Sequence, residues 1–329
     1  MAMDEDYPQT LLDFNDRFCT EEACRKYLYQ LRWPNGFHCP RCGHAKYWVT
    51  KRHLFRCVQC DFLTSVTSGT IFHRTRKPLR MWFQVMWHIT SQKYGANALG
   101  LKRVLGLGSY QTGWEWLHKL RRAMVRPGCE KLSGVVEVDE TLVGGKKPGK
   151  RGRGAEGKTL VMIAVEDKAE FGFGRIRLGQ VPDASAESLT KFVEDNIVDG
   201  SSVRTDGWKG YDGLSKRGYV HHREKQTENV GGDALPLVHQ IAGLLKRWLT
   251  GTYQGAVRHH HLTYYLDEYT FRFNRRTSAS RGKLFYRLVQ QAMIIDPVPG
   301  YKIVGGTRAI ISHATIAEDQ NDDVDDLEF

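Results

Sequence analysis

Apolar and polar positions recur along this chain with two different periods, and the change falls near residue 130. Ahead of it the spacing is helical. Leu11, Leu12, Phe14, Phe18, Tyr27, Leu28 and Leu31 form one apolar set, closed by the turn Trp33-Pro34-Asn35-Gly36, which predicts a helical segment over residues 10–33. Met81, Val85, Met86 and Ile89 form another behind Pro78, a residue that a first helical turn tolerates, so residues 78–125 read as helices. The stretch 37–75 between them reads as short strands and turns. From Gly134 the runs VVEVDETLVGG, TLVMIAVED and FGRIRLGQV follow one another as three strands. Ser185–Ile197 then reads as a helix, SSVRTDGW as a strand ending on an acid, and YVHHRE as a weaker strand. Residues 234–250 and 259–275 read as two helices split by a turn at Gly251–Gly255.

Charge adds a partner class to this picture. The chain has 329 residues and a formal net charge of +11. Seven acids and no Lys or Arg occupy Glu318–Phe329, so the remaining 30 acids face 48 Lys and Arg, a body at +18. Such a body favours a polyanion, with counterion release supplying affinity. The acidic tail is too charged to bury a core and is expected to be disordered. No stretch reaches the roughly 18 apolar residues a membrane span needs, and the acidic N-terminus lacks a signal-peptide core. A cytoplasmic, nucleoid-associated location is expected.

The cysteines carry the sharpest local signal. Cys39-Pro-Arg-Cys42 and Cys57-Val-Gln-Cys60 are two CxxC pairs separated by 14 residues. Thiolates at this spacing come from two tight knuckles that together complete a tetrahedral zinc site. Four cysteines leave no open coordination position, so the zinc is expected to be structural. Lys46, Lys51, Arg52 and Arg56 surround it and suit DNA. Cys19, Cys24 and Cys129 lack a ligand pattern.

Further basic groups extend that theme. Two helical runs flank Gly106–Gly108, and the second carries Lys119, Arg121 and Arg122. A helix-turn-helix reading DNA fits this pattern, as does a plain helical hairpin packing Trp82, Trp87, Trp114 and Trp116. Residues 144–158 hold six Lys or Arg and six Gly, a flexible loop whose Lys146, Lys147, Lys150, Arg151 and Arg153 could track phosphates. A solvated turn is the alternative.

Acidic positions supply candidate chemistry. Asp139 ends the run Val135-Val136-Glu137-Val138-Asp139, and Asp206 ends Val203-Arg204-Thr205-Asp206. Carboxylates at the ends of strands separated by strand–strand–helix elements fit an RNase H-like sheet, where adjacent strands let two acids share divalent metals. Either acid alone could be a turn or cap residue. A third ligand is expected on a later helix, yet Ala234–Thr250 contains no Asp or Glu. It offers His239, with Lys246 seven residues on, about 10 Å along the same face. Imidazole can bind a divalent ion, and Lys can hold a phosphate.

Together the cysteine pairs, VEVDETLVGGKK, VRTDGWKGY and above all HLTYYLDEYTFRFNRR resemble the ISXO-type family of bacterial insertion-sequence transposases, from about Asp13 to Val304. The resemblance implies an RNase H-like DDE domain that cuts and joins DNA at the ends of a mobile element. In that family the third catalytic position varies among Glu, Asn and His, with Lys seven residues later. The matching positions here are Asp139, Asp206, His239 and Lys246, with Asp139, Asp206 and His239 as ligands of magnesium or manganese, two ions in all. A neutral His in place of an acid shifts preference toward softer ions such as manganese. Glu228 and Glu268 stand in reserve as third ligands. Arg272, Arg275 and Arg276 either contact DNA or pair with Asp267 and Glu268.

The reading is thus a multidomain α+β chain. It divides into an N-terminal helical segment (1–36), a zinc ribbon (37–75), a helix-turn-helix-like DNA-binding domain (76–130), an RNase H-like catalytic domain (131–312) and an acidic tail (313–329). Its expected activity is transposition through terminal inverted repeats in double-stranded DNA, as a homodimer or larger assembly. The rival readings are a zinc-ribbon nuclease that does not join strands and an inert DNA-binding regulator.

Overall fold

The computed structural model describes residues 5–125, 130–144, 158–224, 233–255 and 257–305. The basic residues Lys146, Lys147, Lys150, Arg151 and Arg153, together with Cys129, Glu228 and the acidic tail, lie outside the described residues. Two units divide the chain: Met1–Ala123 with Ser280–Phe329, and Met124–Ala279.

In the first unit the predicted N-terminal helix is two helices, α1 (Leu11–Arg17) and α2 (Glu21–Arg32). Thr10 and Thr20 cap them through side-chain oxygens that accept from Asp13 N and Ala23 N, so the second threonine starts a new helix where one continuous helix was expected. Strands β1 (Tyr47–Val49), β2 (Phe55–Cys57) and β3 (Leu63–Thr64) form an antiparallel sheet. Tyr47 and Phe55 pack with Tyr29, Trp33 and Phe37 in an aromatic cluster. Helices α3 (Leu79–Ser91), α4 (Ala98–Leu105) and α5 (Tyr110–Arg122) follow. Gly106 ends α4 in the left-handed region at φ 62°, and Ser109 caps α5. A Cβ at Gly113 would sit 3.1 Å from the Ala98 carbonyl, so glycine lets α5 approach α4 closely. Trp82 and Trp116 stack at 4.0 Å.

The second unit holds β4 (Val135–Gly144), β5 (Lys158–Asp167), β6 (Phe173–Val181), α6 (Ala186–Asn196), β7 (Ser202–Thr205), β8 (Val220–Arg223), α7 (Pro236–Tyr253) and α8 (Leu262–Phe273). Its sheet runs β6-β5-β4-β7-β8. Neighbours β4, β7 and β8 are parallel, and β5 is antiparallel to both β4 and β6. This is the RNase H-like arrangement. Interior strand β5 is apolar on both sides: Leu160, Met162 and Ala164 pack with α6, while Val161, Ile163 and Val165 pack with α7 and α8. Along α7, Val238, Ile241, Ala242, Leu245 and Leu249 form the buried stripe that docks it on the sheet. The helix continues through Gly251, where a turn was expected.

Two helices went unpredicted, α9 (Arg281–Ala292) and α10 (Gly300–Val304). Both belong to the first unit, although the sequence reading grouped them with the catalytic domain. The reason is aromatic packing: Phe285 of α9 meets Phe14, Phe18, Phe83 and Trp87.

Candidate active site and metal centre

The cysteine cluster is built twice from one local design. In the first knuckle Cys39 N donates to His44 O and Gly43 N to Cys39 O. In the second, Cys57 N donates to Phe62 O and Asp61 N to Cys57 O. Gly43 and Asp61 take the same place in each, both at positive φ, 75° and 56°. The backbone N–H groups of Arg41 and Cys42 reach the Cys39 sulfur, and those of Gln59 and Cys60 reach Cys57. Sγ atoms lie 3.7 Å apart for Cys39–Cys60 and 3.5 Å for Cys42–Cys57, and all four lie within 4.8 Å. Tetrahedral zinc with bonds of about 2.3 Å needs sulfurs roughly 3.8 Å apart, so the four thiols fit the ion.

The two acids and the histidine come from three distant elements. Parallel pairing of β4 and β7 sets Val136 against Val203 and Glu137 against Arg204. Asp139 and Asp206 each stand two residues beyond that last pair, Asp206 just past the end of β7, and the Asp206 carboxylate acts on Asp139. Adjacent strands lie about 4.8 Å apart, close enough for two carboxylates to share ions. Alternation along β4 sends Val136 and Val138 to the α6 side and Glu137 and Asp139 to the α7 side.

From α7, His239 Nε2 comes within 3.3 Å of Asp139 Oδ2. Two donors bonded at about 2.1 Å to one ion at a right angle would lie about 3.0 Å apart, so this pair is close to the spacing a shared ion needs. His239 Nδ1 lies 2.7 and 2.8 Å from the two oxygens of Asp233. Asp233 thereby accepts a hydrogen bond from Nδ1–H and leaves Nε2 facing Asp139. Among the described residues only the four cysteines close as a ligand set to within 4.8 Å. Asp139, Asp206 and His239 do not form such a set.

Electrostatics mark the same place. Burial, then the Glu140 and Asp206 carboxylates, push Asp139 up to about 6, against a pull from a backbone N–H and His239. Burial works against protonated His239, but Asp233 and Asp139 outweigh it and hold its pKa above the ordinary value. Glu140, on the other face, accepts a 2.9 Å hydrogen bond from the buried Tyr211 hydroxyl. Burial, and then Glu140, keeps that hydroxyl protonated. Lys246 lies on the exposed side of α7, and burial and then Lys158 lower its pKa. Lys158 opens β5 opposite Gly144, five residues beyond Asp139 on β4.

Several expected DNA contacts are placed otherwise. Arg121 and Arg122, expected as DNA contacts, are 1% and 8% exposed, and Arg122 Nη1 donates to the Asp296 carbonyl, so neither side chain lies on the surface. The cause is the periodicity of α5, whose last turn faces the interior. Lys119 is half-buried. Arg272 is bonded through Nε and Nη2 to the buried Glu268, which also accepts from Tyr253. Glu268 is therefore committed to the core and unsuited to be a third ligand. Arg275 stacks on Phe271, and Arg276 donates to the carbonyls of Phe173 and Gly174. Between them, Asn274 pairs with both N and O of Ile176 on edge strand β6. The DEYTFRFNRR string is largely a clamp holding α8 to the sheet.

Sequence reasoning missed Glu137, Asp233 and Tyr211. The strand alternation that put Asp139 on one face also put Glu137 there, and Asp233 stands just ahead of a proline-started helix. Those two signals were available.

Residues 131–274 match the family described as ISXO2-like transposase domain, and residues 19–61 match the transposase zinc-ribbon domain. A Halobacterium salinarum protein described as an uncharacterized protein in transposable element ISH50 is 29% identical over 260 residues, 71% of this chain and 84% of that one. The non-reducing polyketide synthase terA of Aspergillus terreus is 31% identical over 98 residues, 30% of this chain and 5% of that protein, too small a part to carry an argument.

Proposed function

Because the chain belongs to the ISXO2-like transposases, we propose that it cuts and joins DNA at the terminal inverted repeats of a bacterial insertion sequence. One observation carries this reading: parallel pairing of β4 and β7 runs to two residues short of Asp139 and Asp206, while α7 brings His239 to 3.3 Å from Asp139. These three side chains would hold magnesium or manganese, two ions. Ions bound there would help deprotonate the attacking oxygen and stabilise the leaving one.

The chain's own groups set the geometry. Asp139 and Asp206 fix the site on rigid strands, and Asp233 orients His239. Lys246 holds a backbone phosphate as a point charge, with Lys158 beside it. Water attacks the phosphorus at the element end and the P–O3′ bond breaks, leaving a 3′-hydroxyl. That hydroxyl then attacks a target phosphodiester, forming a new P–O bond as the target's own 3′-oxygen leaves.

Duplex binding rests on the first unit. Recognition helices read bases with their N-terminal residues, and in α5 those are the exposed Tyr110 and Gln111, next to the exposed Arg103 of α4. Lys46, Lys51, Arg52 and Arg56 of the ribbon are also exposed. Joining requires two element ends held together, hence a homodimer or larger assembly. Among the described residues no helix is long and apolar enough to cross a membrane, which suits action on nucleoid DNA in the cytoplasm.

The test is a cleavage and strand-transfer assay on duplexes bearing the element ends. Asp139→Asn and Asp206→Asn are each expected to reduce both reactions to background. Full activity in either variant refutes the site. Cutting without joining by the native protein leaves the nuclease reading, and absence of metal-dependent nicking leaves the inert regulator.

A further inference from the structure

Glu137 is fully buried and stands two residues before Asp139 on the same face of β4. Its partners lie on the two other elements that supply the site. Oε1 faces Arg204 Nη1 at 3.5 Å, and Arg204 stands two residues before Asp206 on β7. Oε2 accepts from the backbone N–H groups of Leu237 and Val238, at 2.9 and 3.1 Å, and these immediately precede His239 on α7.

The helix terminus explains why this matters. A helix leaves its first N–H groups without intrahelical partners. For α7 the N-cap Leu235 has no capping side chain, and its own N–H goes to Asp233 Oδ1 at 3.1 Å. Pro236, the first helical residue, has no N–H to satisfy. The donors of Leu237 and Val238 remain, and Glu137 takes both. His239 N is the first to bond back into the helix, to Leu235 O. The α7 start is thus capped from another element by a strand carboxylate, and the capping group sits one step behind the candidate ligands.

We propose that Glu137 is the positioning residue of the metal site, fixing β4, β7 and the first turn of α7 so that Asp139, Asp206 and His239 keep a common register. This rests on the reading of those three as ligands. Glu137 touches neither substrate nor metal; it acts through the backbone and Arg204.

The experiment measures manganese binding to the full-length, zinc-loaded protein, by titration calorimetry or by the spin-resonance signal of free ion. Glu137→Gln keeps an oxygen able to accept from both amides but gives up the charge that faces Arg204, and its affinity is expected to fall by less than about tenfold. Glu137→Asp keeps the charge but is one methylene too short for α7, and is expected to weaken manganese by about tenfold or more. Hydrogen exchange should show lost protection confined to the first turn of α7. Should the carboxylate act by charge alone, the order reverses: Gln weakens and Asp holds. Should it serve stability alone, the melting temperature of Glu137→Asp falls while its manganese affinity stays native. Either result overturns the proposal. Asp139→Asn is the control: if it too binds manganese normally, the ligand reading has failed; if it alone loses manganese, only the role of Glu137 has.

Discussion

The four cysteines and the Asp139–Asp206–His239 group are both candidate metal sites, built in opposite ways. Each cysteine pair is shaped by its own knuckle, from hydrogen bonds spanning a few residues. Everything the ribbon site needs lies between Phe37 and Thr64. The acid–histidine group draws on β4, the end of β7 and the start of α7, with 100 positions between Asp139 and His239. Its geometry depends on sheet register and on the docking of a helix. The first design gives a closed cage whose ligands all lie within 4.8 Å, and among the described residues the second group does not close in that way. Closed cages suit structural ions, while open ones leave positions for reacting oxygens.

The largest effect expected from this contrast is at the ribbon. Structural zinc contributes on the order of 10–16 kcal/mol to small modules of this type. Cys42→Ser should release the metal, melt the β1–β3 sheet and weaken binding to element ends. Manganese affinity of the second unit should stay native in the same variant. Unchanged zinc content, read by atomic absorption, refutes the four-cysteine cage.

The next effect separates ligand from neighbour. His239→Ala should bring metal-dependent cleavage to background and leave binding to an end-bearing duplex close to native. Activity near native would move the third-ligand role elsewhere. Glu268 is a poor heir, since Arg272 and Tyr253 already occupy its carboxylate.

How much of this was legible in the sequence follows from the same contrast. The cage was readable outright, because spacing along the chain is spacing in space for a knuckle. Asp139, Asp206, His239 and Lys246 were nameable from strand ends, helical spacing and resemblance, but the β4–β7 alignment that joins the acids is a product of topology. The pairing of Glu137 with Arg204 was hidden, although the face of Glu137 was not, because an ion pair across adjacent strands looks in sequence like any two charges on strands. Arg121 and Arg122 misled for the converse reason: a basic run at a helix end suggests DNA, and only packing shows that this turn faces inward. In the string Asp267–Arg276, polar residues that resemble a binding motif are spent on Glu268, Ile176, Phe173 and Gly174. Packing between α9 and the N-terminal helices joins chain ends that no local pattern connects.

Acidity offers a graded test that the two sites should answer differently. Asp139 is held up to about 6, chiefly by burial and then by Glu140, against an ordinary 3.8. The folded chain therefore binds this proton more tightly than the unfolded chain. Metal-free stability is undiminished below the ordinary value and falls as pH rises toward 6, by about 3 kcal/mol in all. His239, also raised, contributes stability that is present below its ordinary 6.5 and lost as pH climbs through its folded value. Metal needs both groups deprotonated. Manganese affinity should thus increase about tenfold or more per unit between roughly pH 5 and pH 6, with protons released on binding. Calorimetry in two buffers of different ionisation enthalpy counts those protons. An affinity flat across the range contradicts the assignment of Asp139 and His239 as ligands.

The smallest effect sharpens the acid–histidine site itself. Asp233 accepts from Nδ1 of His239 and from the N-cap N–H of α7. Asp233→Asn can keep the second bond, but as an amide it can also donate to Nδ1. That would favour the tautomer with the proton on Nε2, the atom facing Asp139, and remove its lone pair from the site. Groups in this position typically govern metal affinity by 10–100-fold. A loss of about tenfold in manganese affinity is expected, with α7 intact by hydrogen exchange and zinc content unchanged. The imidazole proton resonances of His239 should report the altered tautomer directly. If affinity and tautomer both stay native in Asp233→Asn, then His239 is oriented by α7 alone, and the acid–histidine site resembles the cage more closely than its three separate elements suggest.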